Sequence, residues 1–429
     1  MAQKAIKPFQ ILDATSYNNP IDNNHIFYTD FSGLRKDFNI KTLYKRLNIL
    51  DDDCNPLSSP KKLFLRGHRG TGKTSELLSL KNKIKDTKCY FVVFSDLSNG
   101  KLDPQNIEIV DILILLLEDL VVDLENDGAT IPEDILRPFY DWYAERIKEV
   151  NTDLNESAHV QIEAEVGLTI PFFSKLLTKT TGKLTSSNTT KEKIRTVFTN
   201  KISDFMIKFN EFILSIKEEF KKIDKYHDIL FIVDGFEKIG ELDDRKKVLI
   251  DNSEQFNKIE VNMLITLPIE LHEYEYILNS FANIISFPLI TLDDNANVKL
   301  KEFITKRIDI DLFDNEKCID KIIKYGAGSP RETLRIIQES YALSESNLID
   351  DNSITKAIIH LGKSYSTYLE EKEIEILKKI LKNEHVPFGK ECANLLNEKV
   401  LLEYGDENYQ INPMVLENKR IKQLLTDNE

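Results

Sequence analysis

Short apolar runs and long helical patterns alternate over most of the chain. The runs are rich in Val, Ile and Phe and are five to eight residues long, which is typical of strands buried on both faces. Helical patterns between such runs are typical of crossover helices on a parallel sheet. We therefore predict an α/β fold with a five-stranded parallel sheet. The candidate strands are Lys62 to Arg66, Cys89 to Asp96, Ile229 to Asp234, Asn262 to Leu267 and Ile284 to Ile290.

A long insertion separates the second and third candidate strands. It exceeds a hundred residues, far more than a loop between a helix and a strand, so it must have structure of its own. Helical spacing of apolar residues occurs from Ile107 to Leu124 and from Lys191 to Lys222. Residues 159–169 alternate as a strand or hairpin would, whereas Thr178 to Thr190 has the Thr, Ser and Lys content of a mobile loop. We predict a largely helical insertion at about residues 100–222.

The pattern after the last strand is helical, from Asn297 to about Gly362. It is interrupted near residues 311–314 and again at residues 326–330, where Gly and Pro break helices. A short run of helices that follows a sheet in this way predicts a small helical lid.

The tail of the chain has a different order of elements. Two amphipathic helices, Glu370 to Asn383 and Gly389 to Glu398, precede two β-like runs that flank the turn Gly405-Asp406-Glu407-Asn408. Helix, helix and β-hairpin in this order predict a winged helix. The predicted domains are an N-terminal segment with a linker, an α/β core with its insertion, a helical lid and a winged helix, over residues 1–60, 61–295, 296–363 and 364–429.

A glycine-rich segment joins the first strand to a helical run that begins at Ser75. Its sequence is Gly67-His68-Arg69-Gly70-Thr71-Gly72-Lys73-Thr74, which matches the phosphate-loop pattern G-x-x-x-x-G-K-[ST]. Glycine lets backbone N–H groups approach phosphate oxygens, and the helix N-terminus adds partial positive charge. Lys73 would bridge the β- and γ-phosphates and the Thr74 hydroxyl would ligate Mg²⁺. The sequence predicts a nucleotide site formed by Gly67 to Ser75.

Polar side chains end the third and fourth strands, at the edge where open α/β sheets bind ligands. Asp234 ends the third strand, and its carboxylate can hold Mg²⁺ through water. Glu237 is either a general base that orients water or a solvated side chain. Thr266 either hydrogen-bonds the attacking water or the γ-phosphate, or is a strand residue bonded to backbone.

Arg331 follows the break at residues 326–330 and lies at the start of a helical run. Pro330 fits the first turn of that helix, so Arg331 is placed where a lid could fold over the phosphates. A guanidinium suits a γ-phosphate because it has several donors and stays charged. The alternative is a surface arginine that pairs with a carboxylate.

Composition and charge restrict the partners. The chain has 57 Lys and Arg against 71 Asp and Glu, a formal net charge of −14, so its overall field repels nucleic acid and anionic lipid. The four cysteines are far apart and lack metal-ligand spacing, so we expect neither a zinc site nor a disulfide scaffold. Acidic residues interrupt the most apolar stretch, Ile107 to Leu124. We expect a cytoplasmic protein without a membrane span.

Together these residues resemble additional-strand P-loop ATPases, in particular AAA+ proteins of the origin-recognition type and their signalling relatives, the STAND ATPases. The resemblance extends from about Phe31 to Asn412. It implies a sheet ordered 5-1-4-3-2, a lid and often a winged helix, with ATP and Mg²⁺ as cofactors. It also implies that the segment from Phe31 to Arg35 packs near the adenine. The roles that it implies for the residues above are Walker A for Gly67 to Thr74, Walker B for Asp234 and Glu237, sensor 1 for Thr266 and sensor 2 for Arg331.

The chain departs from this family in two places. Gly235 stands where AAA+ motors have a glutamate, and the acidic residue comes later, at Glu237. Residues 268–283 contain no arginine, so the trans-acting arginine finger is missing from its expected place. We therefore expect slow hydrolysis. Arg195, Arg245 and Arg307 are candidate replacements for the finger. Selectivity for guanine is not expected, because no [NT]-K-x-D motif occurs.

The resemblance implies a nucleotide-operated switch in which ATP promotes self-association or conformational signalling to a partner effector protein. STAND-like relatives act in this way in prokaryotic antiviral defence. The alternative is a DNA-associated AAA+ ATPase, similar to origin-recognition proteins and loaders, that uses its winged helix. Residues 364–429 contain 9 Lys and Arg but 13 Asp and Glu, which disfavours a DNA-reading wing. The lysines between Lys175 and Lys193 are an alternative nucleic-acid contact, and a scaffold with a degenerate nucleotide site is a third hypothesis.

Overall fold

The computed structural model describes residues 3–50, 53–54, 59–85, 87–150, 167–186, 188–365, 369–386, 389–405 and 408–426. The strands are β1 (Ile49–Leu50), β2 (Asp53–Cys54), β3 (Lys62–Gly67), β4 (Tyr90–Asp96), β5 (Asp228–Asp234), β6 (Asn262–Pro268), β7 (Asn283–Ser286), β8 (Leu401–Glu403) and β9 (Tyr409–Ile411). The helices in the first half are α1 (Ile11–Ala14), α2 (Ile40–Arg46), α3 (Lys73–Lys85), α4 (Ile109–Asn126), α5 (Glu133–Val150), α6 (Ile170–Ser186), α7 (Asn188–Asn200) and α8 (Ile202–Lys222). Those in the second half are α9 (Leu242–Lys246), α10 (Ser253–Lys258), α11 (Glu275–Leu278), α12 (Asp294–Thr305), α13 (Glu316–Gly326), α14 (Pro330–Leu343), α15 (Asp351–Tyr365), α16 (Glu371–Leu381), α17 (Lys390–Asn397) and α18 (Lys419–Thr426).

The main sheet has five parallel strands, in the order β4-β5-β6-β3-β7. If these strands are numbered along the chain, the order read from β7 is 5-1-4-3-2, as predicted. β3 lies between β6 and β7, with Leu65 beside Thr266 on one side and Ile285 on the other. This register brings the end of β3 and its following loop to the centre of the sheet edge.

β7 is shorter than predicted, because it ends at Ser286 and not at Ile290. Phe287 still donates its N–H to Arg66 O at 2.6 Å. Pro288 has no N–H and cannot continue the ladder. The next donor, Leu289 N, bonds Glu403 O at 3.1 Å instead, so the chain leaves the sheet and contacts the C-terminal hairpin.

The two faces of the sheet bury alternate residues of the same strands, as the pleat requires. Phe64 and Phe231 belong to the large apolar core that includes the insertion helices. Leu65 and Ile232 belong to a second core on the other face, with Leu77 of α3. The strands are therefore covered on both sides, which explains their continuous apolar sequence.

The insertion is helical, but one prediction for it is wrong. Thr178 to Thr190, predicted as a mobile loop, lies mostly in α6 and the start of α7. The Thr180 and Thr181 hydroxyls donate to the carbonyls of Leu176 and Leu177, one turn earlier. Burial of Leu177 and Leu184 in the core overrides the low helix propensity of threonine. The hairpin predicted over residues 159–169 lies outside the described residues except for its last three positions.

The helices after the sheet break where the sequence predicted, between α12 and α13 and again between α13 and α14. At the second break Gly328 has φ +73°. A Cβ at Gly328 would lie 2.0 Å from Ile290 O, so glycine is required for the close approach of this turn to the sheet. The turn presents Ser329 and Arg331 to the phosphate-loop segment.

The C-terminal segment, residues 369–426, contains α16, α17, the antiparallel hairpin β8–β9 and α18. This order of helices and hairpin is the predicted one; Asp406 and Glu407 of the predicted turn lie outside the described residues. Its core includes Cys392, Leu395 and Leu396 of α17. Ile269 of the sheet domain joins the same core, so α17 packs against the rest of the chain.

The cysteines differ from the sequence prediction. Cys89 is disulfide-bonded, whereas Cys318 and Cys392 are buried free thiols. Distance along the sequence did not indicate this, because cysteines that are far apart in the sequence can meet in the fold. Among the described residues, every helix is too short or too polar to cross a bilayer.

Candidate nucleotide-binding site

The glycine-rich segment forms a turn between β3 and α3, as its sequence predicts. Gly70 and Gly72 have φ +90° and +99°, a region that other residues avoid. The turn is also tightly packed. A Cβ at Gly67 would lie 2.2 Å from Phe287 O, and one at Gly70 would lie 2.8 Å from Arg331 Cβ.

Lys73, at the first position of α3, folds back onto the loop. Its buried ammonium donates to Gly67 O at 2.7 Å and to His68 O at 2.8 Å. Burial lowers the pKa of Lys73, although Glu237 and Asp234 act in the opposite direction. Phosphate oxygens can replace these two carbonyl acceptors, which is the role predicted for this lysine.

Thr74 and Asp234 meet at the centre of the site. Thr74 Oγ1 donates to Asp234 Oδ2 at 2.6 Å. Asp234 is fully buried, and its Oδ1 has no hydrogen-bond partner among the described residues. Burial, followed by the charge of Glu237, raises the pKa of Asp234 to about 6. This orphaned carboxylate oxygen and the adjacent hydroxyl are the oxygen ligands that Mg²⁺ prefers, so the residues fit this ion.

The loop with the G-x-x-x-x-G-K-[ST] pattern connects the first strand of a parallel sheet to a helix. The sheet has the order 5-1-4-3-2, and the loop lies beside the aspartate that ends the third strand. This is a P-loop NTPase fold.

Thr266 lies on β6, next to Asp234 on β5. It is fully buried, and its Oγ1 accepts a hydrogen bond from Gly235 N at 3.2 Å. Of the two predicted roles, the contact with backbone is therefore present. It also fixes the turn that leads from Asp234 to Glu237.

Glu237 and Arg331 border the same cavity as the P-loop. Glu237 Oε2 is buried without a hydrogen-bond partner in the described part of the chain. Arg331 packs on Gly70, and its Nη2 donates to Tyr17 O at 3.4 Å. Burial, and then the charge of Arg69, lowers the pKa of Arg331. The helix α14 thus places the aliphatic part of Arg331 against the loop, and its guanidinium lies beside Tyr17.

Arg35 supports the P-loop from beneath. It is buried, and it donates to Thr71 O at 2.6 Å and to Pro288 O at 2.5 Å. Its guanidinium lies 4.2 Å from the ring centre of Phe287, and burial lowers its pKa to about 10. These contacts show that Arg35 positions the backbone of the loop.

The remaining predicted loop residues have different surroundings. Thr71 Oγ1 donates to His68 O at 3.0 Å. Ser75 Oγ accepts from Ile21 N at 3.3 Å, which ties the N-terminal segment to α3. Arg69 is exposed beside the cavity. The His68 side chain is buried and accepts a hydrogen bond from Glu403 N at 3.0 Å, so it faces the C-terminal segment.

Two of the three candidate arginine fingers have partners within this chain. Arg195 forms a buried ion pair with Asp111, and Arg245 forms one with Glu270. Arg307 instead borders the cavity.

The cavity has a volume of about 350 Å³ and extends from the P-loop to the N-terminal segment and α12. Sequence reasoning missed most of this second wall, because its residues follow no fixed spacing. Only the segment from Phe31 to Arg35 was predicted. The missed lining residues include Tyr17, Phe27, Tyr28, Thr29 and Phe303.

No protein-family model and no curated protein matches the sequence. Similar solved structures include the following three. The ORC2 protein of Aeropyrum pernix in ADPNP–ADP complexes is 10% identical, with 95% of this chain and 97% of that chain covered and a TM-score of 0.40. Cdc6p of Pyrobaculum aerophilum is 12% identical, with 95% and 99% covered and a TM-score of 0.38. A RuvB mutant of Thermotoga maritima is 17% identical, with 45% and 70% covered and a TM-score of 0.24.

Proposed function

We propose that this P-loop NTPase binds ATP with Mg²⁺, hydrolyses it slowly, and transmits its nucleotide state to the C-terminal segment. The observation that carries the proposal is the direct contact between the P-loop and that segment. His68, inside the loop, accepts the Glu403 N–H, and Arg66, which precedes the loop, pairs with the Glu403 carboxylate at 2.7 Å.

The residues at the sheet edge can bind the triphosphate. Lys73 contributes the positive charge and the loop contributes backbone N–H groups, while Thr74 and Asp234 would hold Mg²⁺. The ion, when bound, neutralises phosphate charge. Arg331 is near enough to the loop to contact the outermost phosphate when the helices α12–α15, which we propose as the lid, close on it.

Glu237 is the best-placed group to orient water, since Gly235 takes the position after Asp234. We expect Glu237→Gln to retain ATP binding and to slow phosphate release by about 10²- to 10⁴-fold, because the amide cannot accept the proton. Steady-state phosphate release measures the loss. The matched control is Asp243→Asn, an exposed acidic residue nearby, which should leave the rate unchanged. If Glu237→Gln hydrolysed ATP at the wild-type rate, Glu237 would not be the group that orients water.

The proposed transmission has a second contact beside the loop. Lys399, which precedes β8, pairs with Glu332 of α14 at 2.5 Å. Glu332 also pairs with Arg335 and accepts from the Tyr365 hydroxyl. The C-terminal segment is thus held at once by the P-loop and by the proposed lid, so a movement of either changes its position.

The protonation state of His68 suits this role. Burial, together with the charges of Lys399, Lys73 and Arg66, lowers the pKa of His68 to about 3. The ring is therefore neutral at pH 7 and its Nε2 can accept the Glu403 N–H. When phosphate draws the Lys73 ammonium away from His68 O, the loop backbone changes its hydrogen bonds, and we propose that the Glu403 contact loosens.

ATP can shift this equilibrium only by its difference in affinity for the two states. A nearly complete switch needs a difference of about 10⁴-fold. We propose residues 61–295 as the ATPase core, 296–363 as the lid and 364–429 as a winged helix that is released. Its output to a partner effector protein or to a second copy of the chain, as in STAND-type antiviral defence, stays a prediction.

A second candidate is a DNA-associated ATPase, and the insertion favours it more than the C-terminal segment does. The apolar side of α17, the helix before the hairpin, is buried against the core. In contrast, Lys175, Lys179 and Lys183 are exposed at successive turns of α6, and no Asp or Glu occurs from Gly167 to Lys191. No carboxylate pairs with these lysines in the part of the chain that the structure describes. The α6 lysines are therefore the proposed contact with a phosphate backbone.

We expect the triple variant Lys175→Gln, Lys179→Gln, Lys183→Gln to weaken DNA binding and to lower the slope of log K against log salt by about 3, one unit for each lysine. Fluorescence anisotropy at several salt concentrations measures the slope. The control variant replaces Lys41, Lys45 and Lys379 by Gln; these lysines are also exposed. Equal slopes for the two variants would argue against α6 as the DNA contact.

A further inference from the structure

Arg307 is a buried cation without a counter-charge. It is 4% exposed, and no carboxylate lies within ion-pair distance among the described residues. Burial lowers its pKa to about 9, and no neighbouring acid opposes the effect. Its Nη1 donates to Phe303 O at 2.9 Å. A guanidinium has five N–H donors, so most of its hydrogen-bonding capacity is left for a ligand.

The position of Arg307 relates it to the nucleotide. It borders the same cavity as the P-loop, and its guanidinium lies 4.0 Å from the ring centre of Phe303. Phe303 packs on Phe31 with ring centres 5.6 Å apart. The segment after Phe31 reaches the P-loop through the bond from Arg35 to Thr71. Arg307 is therefore connected to the loop through two aromatic rings and belongs to the second wall of the cavity, which the N-terminal segment and α12 line.

Thr29 is a second buried polar side chain in the same wall. It is 6% exposed, and its Oγ1 has no hydrogen-bond partner in the described residues. Thr29 borders the cavity together with Arg307. The backbone beside it is fixed, because Lys306 Nζ donates to Tyr28 O at 2.7 Å. An unpaired hydroxyl and a guanidinium with one hydrogen-bond acceptor among the described residues are costly in one apolar wall unless a ligand satisfies both.

We propose that Arg307 and Thr29 read the base of a bound purine nucleotide. Arg307 donates to a ring-nitrogen acceptor of the base, Thr29 bonds the exocyclic group beside it, and the rings of Phe31 and Phe303 contact its flat face. The inference rests on the proposed nucleotide site. A purine is the class of base that fits, because it has ring nitrogens on both rings, whereas a pyrimidine is one ring shorter and extends less far from the ribose.

The test compares base analogues on the unaltered protein and therefore does not depend on a variant that folds. Competition titrations in the presence of Mg²⁺ would measure the affinities of ATP, 1-deaza-ATP, 3-deaza-ATP, 7-deaza-ATP and CTP. We expect CTP and one of the deaza analogues to bind at least about 10-fold more weakly than ATP, since a hydrogen bond to a charged group is lost. Equal affinity for all five nucleotides would overturn the inference and leave the nucleotide site intact. Failure of every nucleotide to bind would overturn both.

Variants then assign the lost bond to Arg307. Arg307→Gln should bind ATP about 10- to 100-fold more weakly and should no longer distinguish the sensitive deaza analogue from ATP. Arg307→Lys retains the charge but has fewer donors, so its ATP affinity should lie between those of the wild type and Arg307→Gln. Thr29→Val should lose less ATP affinity than Arg307→Gln. Melting temperatures show whether each variant is folded. If folded Arg307→Gln discriminates the analogues as the wild type does, the base is read elsewhere.

Discussion

Replacing Lys73 by alanine should weaken ATP binding at least 100-fold. The ammonium is buried and is held at the loop by two carbonyls that phosphate oxygens can replace. Its removal leaves the triphosphate charge uncompensated where solvent is excluded, a loss of about 3 kcal/mol or more. A titration of a fluorescent ATP analogue in magnesium buffer measures the change.

The control for this prediction is Lys85→Ala at the other end of α3, where the side chain is exposed. It removes the same charge from the same helix and should leave the affinity unchanged. Circular dichroism and thermal melting establish that both variants are folded. If Lys73→Ala bound ATP as tightly as Lys85→Ala, the nucleotide would not occupy the P-loop.

Replacing Glu403 by alanine should destabilise the docked C-terminal segment by about 3 kcal/mol, the lower end of the range for breaking a buried ion pair. Arg66 would lose its contact with Glu403, and His68 would face a hairpin that is less firmly held. The loss is at the lower end because Glu275 also pairs with Arg66, at 3.1 Å. Urea unfolding measures the change. Since we propose that ATP weakens the hold on the same segment, ATP affinity should rise in this variant by reciprocity.

Glu391→Ala is the matched control in the same segment. Glu391 pairs with Lys372 at 3.4 Å, and the Lys372 side chain is 76% exposed, so the loss should be below about 1 kcal/mol. Equal stability of the two variants would show that the Glu403 contact does not hold the segment. A lower ATP affinity in Glu403→Ala would reverse the proposed direction of coupling.

The sequence predicts the sheet and the sheet edge that carries the P-loop well, because both follow from local pattern and one topological rule. A continuous apolar strand such as β5 must be covered on both faces, and parallel strands place their carboxyl ends together. This is why Asp234 was expected near Thr74, which it contacts at 2.6 Å. The positive φ angles of Gly70 and Gly72 were expected, because a phosphate loop requires this backbone shape.

Features that depend on distant contacts were missed. The threonines of α6 suggest a loop by composition, but their helix is stabilised by burial of Leu177 and Leu184, which no local pattern shows. His68 was expected to be a nucleotide-contacting loop residue, yet its side chain meets Glu403 from the other end of the chain. Thr29 and Arg307 come together only because the N-terminal segment packs beside α12.

Hydrogen–deuterium exchange of the whole protein, with and without MgATP, tests the central claim most directly, because it reports both ends of the coupling in one sample. We predict slower exchange in the P-loop and α3, and faster exchange of the Glu403 amide and the β8–β9 hairpin. Protection of the loop without any change in the hairpin would contradict transmission to the C-terminal segment. No protection of the loop at saturating MgATP would contradict nucleotide binding itself.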